Sequence, residues 1–304
     1  MTIAFIHPHI AFLPEIAAYR AFFERYGVLT KVVTLPEAAS LQVEVEWYFM
    51  GRGGKKKNTS ITIHEYPSAS TPPLALLKNC IKRITAPTPA FRLFQNEYVR
   101  DIFRFRDDIP FGIRRHAVGP APLAPSGTMV KTYDFIYSGT VDKARRLDPL
   151  FEHFVSGSLK DRTLLVLSRD YQELKKALEF SPNIHFKGPV PPAEVPGYIL
   201  QARYALNFIP DQQPFNRQPS GKFLDYVACR TPVITTDYQW IRDFQAEKGG
   251  NYYYLLPDLS NFLWDPIIHF DYRFPDLTGW TWEEQIRQSG VLQFLLSKFP
   301  DLRF

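Results

Sequence analysis

The segment from Gln218 to Thr236, QPSGKFLDYVACRTPVITT, places a hydroxyl (Ser220), a residue without a side chain (Gly221), a cation (Lys222) and an anion (Asp225) at the head of a stretch that reads as a buried helix. If Ser220 caps that helix, the free N–H groups of its first turn carry partial positive charge and point outward, which makes an anion site. Gly221 lets a ligand approach the backbone, Lys222 adds a full charge, and Asp225 lies three residues on, hence on the same helix face. A phosphate beside the lysine, with a sugar diol reaching the aspartate, would use all four groups. The same spacing also describes an ordinary capped helix with an exposed Lys–Asp pair, so the surrounding elements have to decide.

Those elements alternate. Runs at 133–138, 164–168, 184–188, 204–209 and 232–236 are nearly continuous in apolar residues, as expected for strands of a parallel sheet covered on both faces, and segments of helical length separate them. The cradle then follows the fourth strand, where open α/β sheets bind ligands. The first half shows the same alternation: a strand at 2–7, a helix opened by Pro14, apolar runs near 31–35, 43–50 and 60–64, a helical PLALLKNCIKRI, a strand around 91–95 and a helix from Asn96. In the Pro14 helix, Ile16, Tyr19, Phe23 and Tyr26 share the apolar face, with Glu15, Arg20, Glu24 and Arg25 largely on the other. GPAPLAPSGT, 119–128, can continue neither kind of element and reads as a linker.

At 304 residues and 45% hydrophobic content the chain can fill two cores. Two cysteines, Cys80 and Cys229, far apart and each in an apolar stretch, fit reduced thiols in a cytoplasmic protein. The opening residues lack a signal-peptide pattern and no apolar run approaches the ~18 residues of a membrane span, so a soluble chain is expected. Charge is uneven: residues 1–125 hold 16 Lys+Arg against 10 Asp+Glu, and the remainder 20 against 21. A basic N-terminal half, with GRGGKKKN at 51–58 as its sharpest feature, suggests an anionic partner, either a phosphorylated substrate or the inner face of an acidic membrane.

QPSGKFLDYVACRTPVITTD resembles the donor-binding segment of B-fold (GT-B) glycosyltransferases, especially the family-four-like retaining enzymes, in which a helix ending in Ala-Cys-small-Thr-Pro-Val carries a ribose-binding acid. The resemblance covers roughly residues 130–256 and is specific in 218–236. It implies two Rossmann-like domains facing each other across a cleft: an acceptor-side domain over 1–124, joined by a C-terminal helix returning at about 283–304, and a nucleotide-sugar domain over 129–280. The ribose carboxylate maps onto Asp225. YSGTVD, 137–142, resembles the phosphate-facing glycine loop, which implicates Gly139 and Thr140, with a basic partner among Lys143, Arg145 and Arg146. Arg169 ends the second strand, and Pro189 and Val190 fall where the family lines its base pocket. Where the family often carries a second acid, eight positions before the ribose carboxylate, this chain has Arg217, placed with Gln218 toward the donor sugar.

No Asp-x-Asp pair occurs and the seven histidines form no metal set, so neither metal nor other cofactor is expected, and helix dipole, Lys222 and a basic residue near 143–146 would stabilise the leaving diphosphate. His64 ends an apolar run in ITIHEY, and the family has a donor-contacting histidine that resembles it; Glu65 is an alternative acid, base or acceptor ligand. Asn96, Glu97 and Arg115 are candidate acceptor contacts, read equally as helix caps and surface ions. The expected activity is transfer of a sugar, with retention, from a UDP- or GDP-sugar to a glycan or lipid-linked acceptor. A nucleotide-sugar epimerase and a non-catalytic nucleotide-sugar-binding protein are the alternatives. The lack of G-x-G-x-x-G disfavours a dehydrogenase, and dispersed basic residues disfavour nucleic acid.

Overall fold

The computed structural model describes residues 1–7, 13–50, 60–119, 130–141, 145–169, 171–177 and 181–304. Lys143, most of the linker and the basic 51–58 segment lie outside the described residues. Two compact units result, one of Met1–Ala117 with Gly279–Phe304, the other of Val118–Thr278.

The first unit runs β1 (Thr2–Ile6), α1 (Pro14–Arg25), β2 (Leu29–Val33), α2 (Leu35–Ala38), β3 (Val45–Phe49), β4 (Ile61–Tyr66), α3 (Ala75–Thr85), β5 (Phe91–Phe94), α4 (Glu97–Phe103) and β6 (Phe111–Ile113). Its six strands are parallel in the order β2-β1-β3-β4-β5-β6. Because successive strand residues point to opposite faces, Phe5, Trp47, Ile63 and Leu93 pack one way, against Tyr19 and Phe23 of α1. Tyr66 and Phe94 point the other way, against Val99 and Phe103 of α4.

The second unit runs β7 (Tyr133–Ser138), α5 (Asp148–Val155), β8 (Leu164–Leu167), α6 (Gln172–Ala177), β9 (Ile184–Lys187), α7 (Val195–Ile199), β10 (Ala202–Asn207), α8 (Gly221–Ala228), β11 (Val233–Thr236), α9 (Gln239–Lys248), β12 (Tyr253–Leu255) and α10 (Trp264–Ile268). The sheet is again all parallel, ordered β12-β11-β10-β7-β8-β9. Successive strands therefore move outward one way from β7, and after a crossover the other way from β10. That order makes the carboxyl ends of β7 and β10 the switch point at which such sheets bind ligands.

The chain closes with α11 (Trp282–Gln288) and α12 (Val291–Lys298), both in the first unit. Two helices stand where one was expected, because Gly290 adopts φ 80° between them. Thr281 and Glu284 form a capping box that starts α11, and Phe294 of α12 stacks on Phe91 of β5 at 4.7 Å. Gly112 of β6 makes this docking feasible: a Cβ there would sit 1.8 Å from the Ser289 carbonyl oxygen.

Candidate functional site

Ser220 does cap α8. Its Oγ accepts the Phe223 N–H at 3.4 Å and donates to Asn207 Oδ1 at 2.7 Å. Asn207, the last residue of β10 and fully buried, donates in turn to Thr235 Oγ1 at 2.9 Å and Tyr238 Oη at 3.0 Å. A buried, satisfied polar network thus ties the start of α8 to the ends of β10 and β11. From the other side the hydroxyl of Tyr226 of α8, also fully buried, accepts the Ser138 N–H at 2.8 Å and so ties α8 to the end of β7. Sequence reasoning missed Asn207; its signal was one amide among the apolar residues of YALNFI.

Lys222 projects across the switch point. Its Nζ lies 4.0 Å from the ring centroid of Tyr137 in β7 and donates to the Phe208 carbonyl at 3.3 Å. Gly139, at φ 135°, follows β7, and a Cβ added there would stand 4.0 Å from the Lys222 Nζ. Arg145 stacks on Phe215 at 4.5 Å and is near enough to oppose protonation of Lys222, whose pKa burial first, and Arg145 second, hold well below the ordinary lysine range. Two cations held this close, one largely desolvated, form a site whose electrostatics improve when a polyanion binds. The Gly139 N–H is engaged by the Leu167 carbonyl at 2.9 Å, so this residue offers clearance and not the expected phosphate donor. The Thr140 carbonyl accepts the Tyr137 hydroxyl at 2.9 Å, and the Thr140 side chain is exposed.

Asp225 lies one turn further along α8. The residue keeps an exposed face, yet enough protein surrounds its carboxyl to push the pKa up to about 7, with burial the cause. The other residues expected here lie beyond the carboxyl ends of the same strands: exposed Arg169 after β8, exposed Pro189 and half-buried Val190 after β9, and exposed Arg217 and half-buried Gln218 before α8. Gln218 Nε2 donates to the Pro214 carbonyl at 3.1 Å. α8 ends with Arg230 at φ 51°, in the small-residue position of the resembled pattern. The Thr231 N–H, bonded to the Tyr226 carbonyl at 3.0 Å, closes that end.

The first-unit candidates fare differently. Glu65 is 1% exposed, and both oxygens are engaged: Oε1 pairs with Arg114 and accepts the Tyr19 hydroxyl at 3.3 Å, while Oε2 accepts Trp47 Nε1 at 2.8 Å. A carboxylate so enclosed holds the fold together, which corrects its expected acid–base role. Arg114 also reaches Glu15 at 3.2 Å, so Glu15 is buried in this network and not on the solvent face of α1. Burial first raises the Glu15 carboxyl to about 7, against the lowering effect of Arg114.

His64, expected to face a ligand, is 0% exposed, lies edge-on to Tyr48 at 5.8 Å, and has no hydrogen-bond partner among the described residues for either ring nitrogen. Burial, then Arg92, lowers its pKa to about 4, so it is a neutral core histidine. Asn96 caps α4 by accepting the Val99 N–H at 2.9 Å, Glu97 is exposed in that helix's first turn, and Arg115 stacks on Trp280 at 5.5 Å. The capping reading therefore holds for Asn96.

Residues 144–251 match a family model described as glycosyl transferase-like. No curated protein matches the sequence. Among solved structures, the chain resembles sucrose-phosphate synthase from Thermosynechococcus elongatus with a TM-score of 0.68 at 11% identity, over 98% of this chain and 100% of that one. It resembles AviGT4, a glycosyltransferase involved in avilamycin A biosynthesis, with a TM-score of 0.62 at 10% identity, over 99% of this chain and 98% of that one. It also resembles the UDP-GlcNAc 2-epimerase of Methanocaldococcus jannaschii, solved with UDP-GlcNAc and UDP, with a TM-score of 0.56 at 12% identity, over 98% of this chain and 100% of that one. These likenesses concern the fold. The family match falls within the second unit, and the structural likenesses show the two-unit fold shared with glycosyltransferases of the B fold.

Proposed function

We propose that the protein transfers a sugar, with retention, from a UDP- or GDP-sugar to a glycan or glycolipid acceptor, and that fixed cations stabilise the leaving diphosphate without a metal. The convergence of Lys222, Arg145 and the Ser220-capped start of α8 on the switch point of the second sheet carries this reading. As the bond from the anomeric carbon to the diphosphate oxygen breaks, its electron pair moves onto the diphosphate. The acceptor oxygen bonds to the anomeric carbon and its proton leaves with the diphosphate. The charge that develops faces Lys222, Arg145 and the first-turn N–H groups of α8, groups whose single removal in other enzymes costs ~100-fold or more in turnover. Asp225 holds the ribose diol, Pro189 and Val190 line the base, and Arg169, Arg217 and Gln218 face the rest of the donor; Arg115 and Glu97 remain for the acceptor side.

Replacing both Lys222 and Asp225 by alanine tests the proposal. Calorimetric titration with UDP and with GDP should show donor-nucleotide affinity lost in the double variant while its melting temperature holds. Undiminished affinity overturns the assignment. The fold shared with a UDP-GlcNAc 2-epimerase supports a second reading, epimerisation on the same site. Incubation with donor alone, followed by NMR, separates them, since an epimer forming without acceptor identifies the second reading.

A further inference from the structure

Helix α3 is turned inside out. Its buried residue is Asn79, at 1% exposure, whose Oδ1 accepts the Ser70 N–H at 3.0 Å. Its large apolar residues face solvent: Leu76 is 72% exposed, Leu77 53%, Ile81 51% and Ile84 72%, with Leu74 at 69% just before them. At 100° per residue these four helical side chains fall in one stripe, the arrangement of a helix whose apolar face meets something other than its own core.

The charges beside the stripe indicate what meets it. Exposed Lys78 and half-buried Arg83 border it on opposite sides, Lys82 lies behind, and residues 67–90 contain no acid at all. An isologous pairing with a second copy would bring these like charges together. An anionic bilayer supplies both hydrocarbon for the stripe and negative headgroups for its borders. The Arg83 guanidinium, within 3.5 Å of the Arg104 carbonyl, is braced at the edge where headgroups would lie.

We infer that α3 is a membrane-docking helix, lying flat in the interface of an anionic bilayer with Leu76, Leu77, Ile81 and Ile84 inserted. The inference rests on this surface alone and not on the donor site. Sedimentation with vesicles of phosphatidylglycerol and phosphatidylcholine, and with phosphatidylcholine alone, tests it on the full chain. The wild type should pellet with the anionic vesicles and be released by salt. Leu76→Asp combined with Ile84→Asp should weaken binding by about 100-fold or more, and Lys78→Glu by about 10-fold. Val130→Asp, at an exposed apolar residue of the other unit, should change nothing. Circular dichroism should show every variant folded. Failure of the wild type to bind, or full binding by the double aspartate variant, overturns the inference. So does self-association without lipid that the double variant abolishes, which would give the face to a second copy.

Discussion

The hydroxyl of Ser220 donates to Asn207 Oδ1 at 2.7 Å, so the residue that starts α8 is fixed to the residue that ends β10. Because the Asn207 amide also serves Thr235 and Tyr238, Asn207→Leu takes one hydrogen bond from each of three buried partners. Each unsatisfied group costs about 1–3 kcal/mol, so the variant should lose at least that much stability in urea denaturation and bind UDP more weakly. Ser220→Ala should lose only the cap, about 1 kcal/mol. A leucine variant as stable as wild type would show that the network does not position the helix.

Two titrating groups give nucleotide binding an acid limb and an alkaline limb. The Asp225 carboxyl, raised to about 7, must be ionised to accept the ribose hydroxyls, so UDP affinity should fall as pH drops below about 7. Inorganic pyrophosphate lacks ribose and should not show that limb, nor should Asp225→Asn with UDP. Lys222, depressed by burial and Arg145, should regain its proton when a diphosphate arrives. Calorimetry of UDP binding at alkaline pH should then give heats that differ between HEPES and Tris by the proton taken up, and identical uncorrected heats in the two buffers would remove Lys222 from the phosphate site.

His64 makes the first unit sensitive to acid. Its folded pKa of about 4 lies below the ordinary 6.5, so the unfolded chain takes up the proton first. The stability at stake is complete above pH 6.5 and disappears as pH falls toward 4, by about 3 kcal/mol at the limit. His64→Leu should shrink the difference in melting temperature between pH 7 and pH 5, leaving a residual slope from His116, which burial and Arg114 also lower, to about 3. An unchanged difference would mean that His64 is not sealed as described.

Arg114 neutralises the buried acids of the first unit. Arg114→Met leaves Glu65 and Glu15 in the core without a cation and should cost about 3–5 kcal/mol, read by chemical denaturation. Glu15→Gln should behave oppositely with pH. A carboxyl raised from 4.5 to about 7 binds its proton more tightly in the folded state, so wild-type stability falls across that window as pH rises. The glutamine variant escapes this and should gain on wild type between pH 5 and pH 8.

How legible each part was depends on how far apart its interacting residues lie in the chain. The Ser220 cap was readable because a hydroxyl and the N–H three residues on interact whatever the rest of the fold does. Strands β7 to β11 were readable because burial on both faces leaves an unbroken apolar run. β12 and β6, three residues each, are too short to show a pattern. Glu15 was misread because helical periodicity cannot register Arg114, 99 residues away. The same holds for Glu65, whose partner Arg114 lies 49 residues on. In α3 the periodicity is clear, but apolar spacing identifies a stripe without saying which way it faces.

The amino-acid order by itself determined which segments are strands and helices and that Ser220, Gly221, Lys222 and Asp225 share one helix start, because these follow from local spacing and burial patterns. Tertiary structure alone decided that Lys222 meets Tyr137 and Arg145, that His64 and Glu65 are closed inside the core, and that the α3 leucines face out. The reason is that strand order and helix orientation, which bring distant residues together or keep them apart, are set by the joint packing of all elements and are not written in any one of them.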